Sequence, residues 1–282
     1  MSTLFIPWKY SEPRRFCLTQ NLWYIQDSIY AVTNKSGIFE FGIGTRTIIQ
    51  HKHTDIYPTT NVLRDICSVN YENNIFIIDP HQGEIIKFNT STKEFETKLK
   101  FYRSNGFMPS VAVVDNFIHI FLFQSMMKRS YYVYSIDYNV ITLVKKEILH
   151  SQYYYNSMFS YKNKIIDFGG SFTYKIRSNF MYSSIIKGTN FHHIKWNKNK
   201  KCFINNGCWE CGYIVFENYV IRFGGYTMDG FSDAISILDL NDSDGLWSKA
   251  QLYCPQPNKY IAALDITNQN VHLFKHLSIP QR

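Results

Sequence analysis

Apolar and polar residues alternate along this chain in a pattern that recurs six times. Six hexads each open on a turn-favouring polar residue, have Ile or Val at the third position and end on an apolar residue. They are DSIYAV from Asp27, NNIFII from Asn73, NFIHIF from Asn116, NKIIDF from Asn163, NYVIRF from Asn218 and QNVHLF from Gln269. Their third positions lie 43 to 55 residues apart. Self-similarity at this interval predicts a repeat architecture.

The second repeat shows what one unit contains. Its β-type runs are ICSVNY from Ile66, IFII from Ile75, EIIKFN from Glu84 and EFETKLKF from Glu94, separated by turn-favouring residues. Strands joined by short turns are antiparallel neighbours, so each unit is predicted to be a four-stranded meander, as in a propeller blade. The second strand is apolar at successive positions, which predicts burial on both faces. Apolar pairs seven residues apart are expected to flank the turn between the third and fourth strands: Phe41 and Ile48, Phe88 and Phe95, Ile136 and Leu143, and Leu240 and Trp247.

These repeats predict an all-β fold: one six-bladed β-propeller domain over residues 1–282. The blade cores are expected near Ile29, Ile75, Ile118, Ile165, Val220 and Val271. The sixth repeat has only two strands of its own, so we expect the N-terminal segment to complete the last blade and close the ring. Whether it supplies one strand or two stays open at this point.

Two repeats end their second strand on a diglycine, Gly169–Gly170 in IIDFGGS and Gly224–Gly225 in VIRFGGY. Glycine allows positive φ and close backbone approach, so these residues are predicted to be structural. With Trp247 opening the fourth strand of the fifth repeat, the chain resembles the kelch family of β-propellers. That resemblance extends over nearly the whole chain by periodicity, and it implies a protein that presents interaction surfaces.

Composition and charge indicate how the core packs, which kinds of partner are expected and where in the cell the protein acts. Aromatic residues make up 17% of the chain, which suits rings packed between sheets. The net charge of +8 has one dense patch, Lys195, Lys198, Lys200 and Lys201, which is typical of a solvated loop and gives no reason to expect a nucleic-acid partner. No run approaches the ~20 apolar residues of a membrane-spanning helix, and the N-terminus lacks the order of a signal peptide. We therefore expect a cytoplasmic protein with reduced cysteines and no membrane partner.

Candidate chemistry is sparse. Cys208 and Cys211 have a zinc-ligand spacing, but no second pair completes a tetrahedron, so no metal and no cofactor are expected. The alternative to a binding role is a carbohydrate-active propeller or one like galactose oxidase, which shares the kelch propeller. Such an enzyme would need Arg, Glu, Tyr or His converging on the axis. The scattered His residues form no such set, and the sequence predicts no catalytic activity. His119 and His272 occupy corresponding second-strand positions, in NFIHIF and QNVHLF, which predicts parallel packing roles for the two.

The predicted function is protein–protein recognition by a scaffold or adaptor. The loops after the second and fourth strands share one face of a propeller and mix Tyr, Phe, Met and Arg, the residue types enriched at interface centres. The predicted partner-binding rim is Arg103, Phe107, Met127, Arg129, Tyr154, Tyr174, Arg177 and Tyr226. The partner is expected to be another protein, whose identity the sequence does not reveal.

Overall fold

The structure is a computed structural model. It describes residues 22–33, 37–52, 66–80, 82–101, 107–125, 128–145, 154–171, 181–186, 191, 195–199, 212–216, 218–223, 226–227, 230–231, 234–241 and 247–253. Within these ranges the protein is all-β. No helix in them is long and apolar enough to cross a membrane.

Five four-stranded antiparallel meanders follow one another along the described ranges. The first sheet contains β1 (Leu22–Ile25), β2 (Ser28–Thr33), β3 (Gly37–Gly42) and β4 (Ile48–His51), and the second contains β5 (Cys67–Tyr71), β6 (Asn74–Asp79), β7 (Glu84–Asn89) and β8 (Phe95–Lys100). The third contains β9 (Phe107–Val114), β10 (Phe117–Ser125), β11 (Lys128–Ser135) and β12 (Val140–Lys145), and the fourth β13 (Tyr154–Tyr161), β14 (Lys164–Ser171), β15 (Met181–Ile185) and β16 (Asn197–Asn199). The fifth contains β17 (Gly212–Phe216), β18 (Tyr219–Phe223), β21 (Ala234–Asp239) and β22 (Ser248–Tyr253). Between β18 and β21 along the chain, β19 (Tyr226–Thr227) and β20 (Gly230–Phe231) form a separate two-stranded sheet. The four-stranded meander predicted from the second repeat is confirmed.

The first residue of each described hexad has the same structural role in all five sheets. Its carbonyl accepts a hydrogen bond from the backbone amide of the residue that directly follows the third strand. The five bonds run from Ile43 to Asp27, Thr90 to Asn73, Ile136 to Asn116, Ile186 to Asn163 and Leu240 to Asn218, at 2.7 to 3.0 Å. The residue before the hexad has positive φ at Glu72, Asp115 and Lys162, as two-residue hairpin turns require. The repeat register predicted from the hexads is therefore structural.

The sheets pack face to face, and four apolar clusters fill the spaces between successive sheets. In β6, Ile75 and Ile77 contribute to the cluster shared with the first sheet, whereas Phe76 and Ile78 contribute to the cluster shared with the third. The alternation of side chains across a strand produces this division. Burial of the second strand on both faces is thus confirmed, and the result is an all-β, propeller-like architecture.

The first strands of neighbouring sheets are in contact, β5 with β9 and β9 with β13. The fourth strands lie at the opposite edge of each sheet. The sheets therefore converge on their first strands, and the fourth strands form the outer rim. Gly169 and Gly170 lie in β14 with φ of 72° and 88°, a region of backbone conformation that glycine adopts at no steric cost.

One of the predicted hairpin pairs is wrong, and the turn between Leu240 and Trp247 lies largely outside the described residues. Phe41 pairs with Ile48 and Phe88 with Phe95 as expected, but in the third sheet Tyr134 pairs with Ile141. Ile136 lies in the turn, and Leu143 pairs with Tyr132. Leu240 likewise lies in the turn after β21. The apolar pattern misleads here because Leu143 is an exposed apolar residue that mimics a core position.

Some predictions fall outside the described residues. These are the sixth repeat with its core near Val271, the N-terminal segment expected to close the ring, and Gly224 and Gly225. Trp247 is described; it directly precedes β22 and packs on the cluster between the fourth and fifth sheets.

Candidate interaction surface

The predicted rim is only partly described. Arg103, Met127, Tyr174 and Arg177 lie outside the described residues. Phe107, Tyr154 and Tyr226 are the first residues of β9, β13 and β19, which places their backbones at strand ends. Arg129, the second residue of β11, is the one rim residue whose side-chain environment is described.

The prediction that Arg129 is exposed on the rim is wrong. Its side chain is 1% exposed, and its Nη1 donates to Asp167 Oδ2 at 2.8 Å. Asp167 is equally buried and comes from β14 of the next sheet. Nη2 donates to Ser110 Oγ at 2.6 Å, and the guanidinium lies over the ring of Phe121 at 4.8 Å. A charge inside an apolar strand, which the sequence shows at Asp167, is explained by this ion pair between sheets.

The aromatic residues beside Arg129 complete the same inter-sheet space. Phe121 stacks on Tyr131 with ring centroids 4.6 Å apart, and the Tyr131 hydroxyl shares a 2.6 Å hydrogen bond with His119 Nδ1. Burial lowers the pKa of His119 to about 3 and raises the pKa of Tyr131. His119 is therefore a neutral core residue, in agreement with the packing role predicted from its second-strand position. His272, its predicted equivalent, lies outside the described residues.

A second polar cluster joins the first and second sheets. Glu40 on β3 accepts hydrogen bonds from Lys93 Nζ at 2.7 Å, His51 Nε2 at 2.8 Å and Tyr30 Oη at 3.0 Å. Lys93 belongs to the β7–β8 turn and also donates to Tyr30 Oη at 2.6 Å. The sequence offered no signal for this cluster, since its members come from four separate segments of two repeats.

In this second cluster the Glu40 carboxylate is stabilised in its ionised form by the hydrogen bonds it accepts. Burial alone would raise the pKa of Glu40, but hydrogen bonds from Lys93, His51 and Tyr30 outweigh burial and hold the pKa at about 2. Burial also acts to lower the pKa of Lys93, yet its bonds to Glu40 and Tyr30 leave that pKa raised. Because its pKa is raised, Lys93 is charged at neutral pH, and its bonds to Glu40 and Tyr30 join the first and second sheets.

An open groove of about 730 Å³ lies next to this cluster. Its lining carries both signs of charge: Lys52, Lys87 and Lys93 with Glu94 and Glu96, together with Asn89, Thr92 and Phe95. Lys87 and Lys98 both reach Glu96, at 3.9 and 2.6 Å. Because the charges largely compensate one another, the groove has no strong preference for an anion or a cation.

The fifth sheet has its own charged residue in a second strand. Arg222 is 7% exposed, donates from Nη2 to Ser236 Oγ at 3.0 Å and lies over the Trp247 ring at 5.5 Å. Trp247 in turn packs on Phe168 of the fourth sheet. Arg222 thus contributes to the packing between the fourth and fifth sheets, as Asp167 does between the third and fourth.

The outer rim exposes large apolar side chains. On β12 and the turn before it, Tyr138 is 79% exposed, Val140 52% and Leu143 46%. On β4, Ile48 is 62% exposed and Ile49 49%. The outer strand between them, β8, is different, since its exposed positions carry Glu96, Thr97 and Lys100. Exposed apolar side chains are thus concentrated on two of these three outer strands, and surface patches of such residues are typical of interaction surfaces.

Metal ligation finds no support among the described residues. They contain no group of three or more His, Cys, Asp or Glu side chains arranged to hold an ion. Cys208 and Cys211 lie outside these residues. Cys67 is described, and its side chain is buried.

Comparisons with known proteins inform the fold alone. No family model and no curated protein matches the chain. Among solved structures, that of YjhT matches with a TM-score of 0.64 at 12% identity, covering 89% of this chain and 88% of that chain. The two chains therefore share a propeller-like fold of meander sheets at low sequence identity.

Proposed function

We propose that this protein is a non-catalytic scaffold that binds another protein. The proposal includes a six-bladed, kelch-like ring closed by the N-terminal segment, and a cytoplasmic setting with no membrane or nucleic-acid partner. The observation that carries it is the set of exposed apolar side chains on the outer rim, led by Tyr138, Ile48 and Val140. Large rings and branched side chains at the surface bury area on association at low entropic cost.

The polar clusters support the same conclusion. In each inter-sheet cluster a basic side chain is paired with a carboxylate, Lys93 with Glu40 and Arg129 with Asp167, and the second pair is buried away from solvent. A rigid stack of sheets with variable edges and loops is the usual basis of a binding scaffold. The loop face that carries Arg103, Tyr174 and Arg177 remains part of the proposal as a second docking area, with Arg129 removed from it.

The experiment is affinity purification followed by mass spectrometry. The tagged wild-type chain is compared with a Tyr138→Ser/Ile48→Ser variant, and with Glu96→Ser as a matched control on the charged outer strand β8. We expect the wild type and the control to recover the same proteins and the double variant to lose at least one of them. If the wild type enriched no protein over a tag-only control, the proposed function would be wrong.

A further inference from the structure

The outer edge of β12 differs from the outer edge of its neighbour β8. Unpaired main-chain groups on an edge strand invite pairing with another chain, and proteins usually protect such edges with charge. β8 follows that rule with Glu96, Lys98 and Lys100. β12 has the sequence VITLVK, in which Lys145 at the end is the only charged residue. In the part of the chain that the structure describes, β12 pairs with β11 alone.

The geometry of β12 leaves a short regular edge. Ile141 packs into the cluster between the second and third sheets, and Leu143 lies two residues further on the same face but is 46% exposed. The register shifts between Leu143 and Lys145, so a bulge ends the regular stretch. Residues 140–143 are thus a short template in regular register that is largely exposed, and three of them, Val140, Ile141 and Thr142, are β-branched. β4 also exposes two Ile residues, but it is only four residues long and ends at His51, which is bonded to Glu40.

The two ends of β12 have opposite charge. Lys145 lies at the C-terminal end, whereas Asp137 lies in the turn before the strand, and both are exposed. A second carboxylate, that of Glu72, lines the same small cavity as Asp137. An incoming strand therefore meets negative charge at one end and positive charge at the other.

A cavity of about 200 Å³ lies beside the acidic end, between the second and third sheets. It is lined by Tyr71, Glu72, Asn74, Phe76, Lys87, Lys98, Ile136 and Asp137. The Oδ1 atom of Asn74 is buried and accepts no hydrogen bond from the described residues. Lys87 and Lys98 are both paired with Glu96. The groups of the cavity that can accept hydrogen bonds from a ligand are therefore Asn74 Oδ1 and the carboxylates of Glu72 and Asp137. A guanidinium or ammonium group satisfies both.

We propose that the outer edge of β12 takes up an extended segment of a partner protein as a fifth, antiparallel strand. The segment has apolar β-branched residues at its centre, an acidic residue at its N-terminal end beside Lys145 and a basic residue at its C-terminal end beside Asp137. Main-chain hydrogen bonds supply the pairing, and Val140 and Leu143 supply the apolar contact. The inference rests on the proposed function and assigns one of its docking surfaces.

The test uses a short synthetic peptide that alternates Val and Thr between an N-terminal Glu and a C-terminal Arg. Its binding to the full chain is measured by fluorescence anisotropy, and the amides it protects by hydrogen exchange. We expect the peptide to protect amides on β12. We expect Leu143→Lys to bind it about tenfold more weakly, because about 1.4 kcal/mol of apolar contact is lost. Thr97→Lys, the matched control on β8, should bind it as the wild type does. A peptide with Glu and Arg exchanged should bind more weakly.

Four results of the peptide experiment would overturn this inference. They are equal binding by Leu143→Lys and Thr97→Lys, equal binding of a peptide whose alternate amides are N-methylated, equal binding of the charge-exchanged peptide, and protection confined to another strand. A concentration-dependent dimer that Leu143→Lys abolishes in sedimentation would also overturn it, because the occupant would then be a second copy. If Leu143→Lys recovered every partner of the wild type from cells, the docking surface would be wrong while the proposed function stood.

Discussion

Two polar clusters hold neighbouring sheets together, and they do so in different surroundings. The pair Arg129–Asp167 joins the third and fourth sheets with both side chains 1% exposed. The cluster around Glu40 joins the first and second sheets, and one of its members, Lys93, is 36% exposed. The first cluster is closed to water, whereas the second is open along the side of Lys93.

The difference decides what happens when a partner is lost. In the closed cluster no water can replace a missing carboxylate, so the remaining charge keeps its full desolvation penalty. In the open cluster water substitutes for part of each lost hydrogen bond. Contacts of similar length, 2.8 Å for Arg129–Asp167 and 2.7 Å for Lys93–Glu40, therefore contribute very differently to stability.

Removing the buried carboxylate should have the largest effect. We expect Asp167→Ala to lower the free energy of unfolding by about 3–5 kcal/mol, because it removes the carboxylate that compensates the buried charge of Arg129. The measurement is urea unfolding followed by circular dichroism. Glu96→Ala, which removes an exposed ion pair on β8, should cost at most about 0.5 kcal/mol. Equal costs for the two variants would contradict the stabilising role assigned to the closed cluster.

Acid should weaken the closed interface through His119. Its folded-state pKa of about 3 lies below the ordinary 6.5, so its contribution is complete above pH 6.5 and is lost as the pH falls toward 3. We expect a loss on the order of 4 kcal/mol between pH 7 and pH 3. Urea unfolding across this range would measure it. A His119→Phe variant should lack this part of the pH dependence, and an unchanged profile would contradict the assignment.

Neutralising the carboxylate of the open cluster should have an intermediate effect. We expect Glu40→Gln to cost about 2 kcal/mol at pH 7, since three donors lose a charged acceptor that is itself mostly buried. The pKa of about 2 lies below the ordinary 4.5, so the Glu40 contribution is complete above pH 4.5 and is lost as the pH falls toward 2. Wild type and variant should therefore converge near pH 2. A difference that persisted there would exclude the charge as its cause.

Truncating the exposed member should have the smallest effect. We expect Lys93→Met to cost about 1 kcal/mol or less, because solvent screens a partly exposed pair. The cost should shrink further in high salt. Unfolding in low and high salt, with Lys100→Met as the control for a more exposed lysine, would measure it. A cost as large as that of Asp167→Ala would show that the open cluster is closed in solution.

The sequence predicted the repeat and its strands because turn chemistry and apolar runs are local properties. Asn73, Asn116, Asn163 and Asn218 mark the turns, and all of them accept the same backbone hydrogen bond. The pairing of the third sheet was mispredicted because Leu143 is apolar and exposed, and local pattern does not distinguish it from the core residue Ile141.

The candidate site was predicted far less well. Arg129 was placed on a loop surface because Arg is enriched at interfaces, yet its partner Asp167 lies 38 residues further along the chain. A signal was available, since Asp167 is a charge within an apolar strand and needs an opposite charge nearby. The partner of such a residue depends on which faces of two sheets meet, which no spacing along one strand specifies.

From its sequence alone, this protein could be assigned a chain of antiparallel meanders and the strands that lie at the centre of each. Only the tertiary structure decided which charges are buried together, which outer strand is left apolar and exposed, and where opposite charges lie at the ends of that strand. The physical reason is that hydrogen-bonded turns and strand alternation act between near neighbours, whereas ion pairing and burial depend on surfaces brought together from distant repeats.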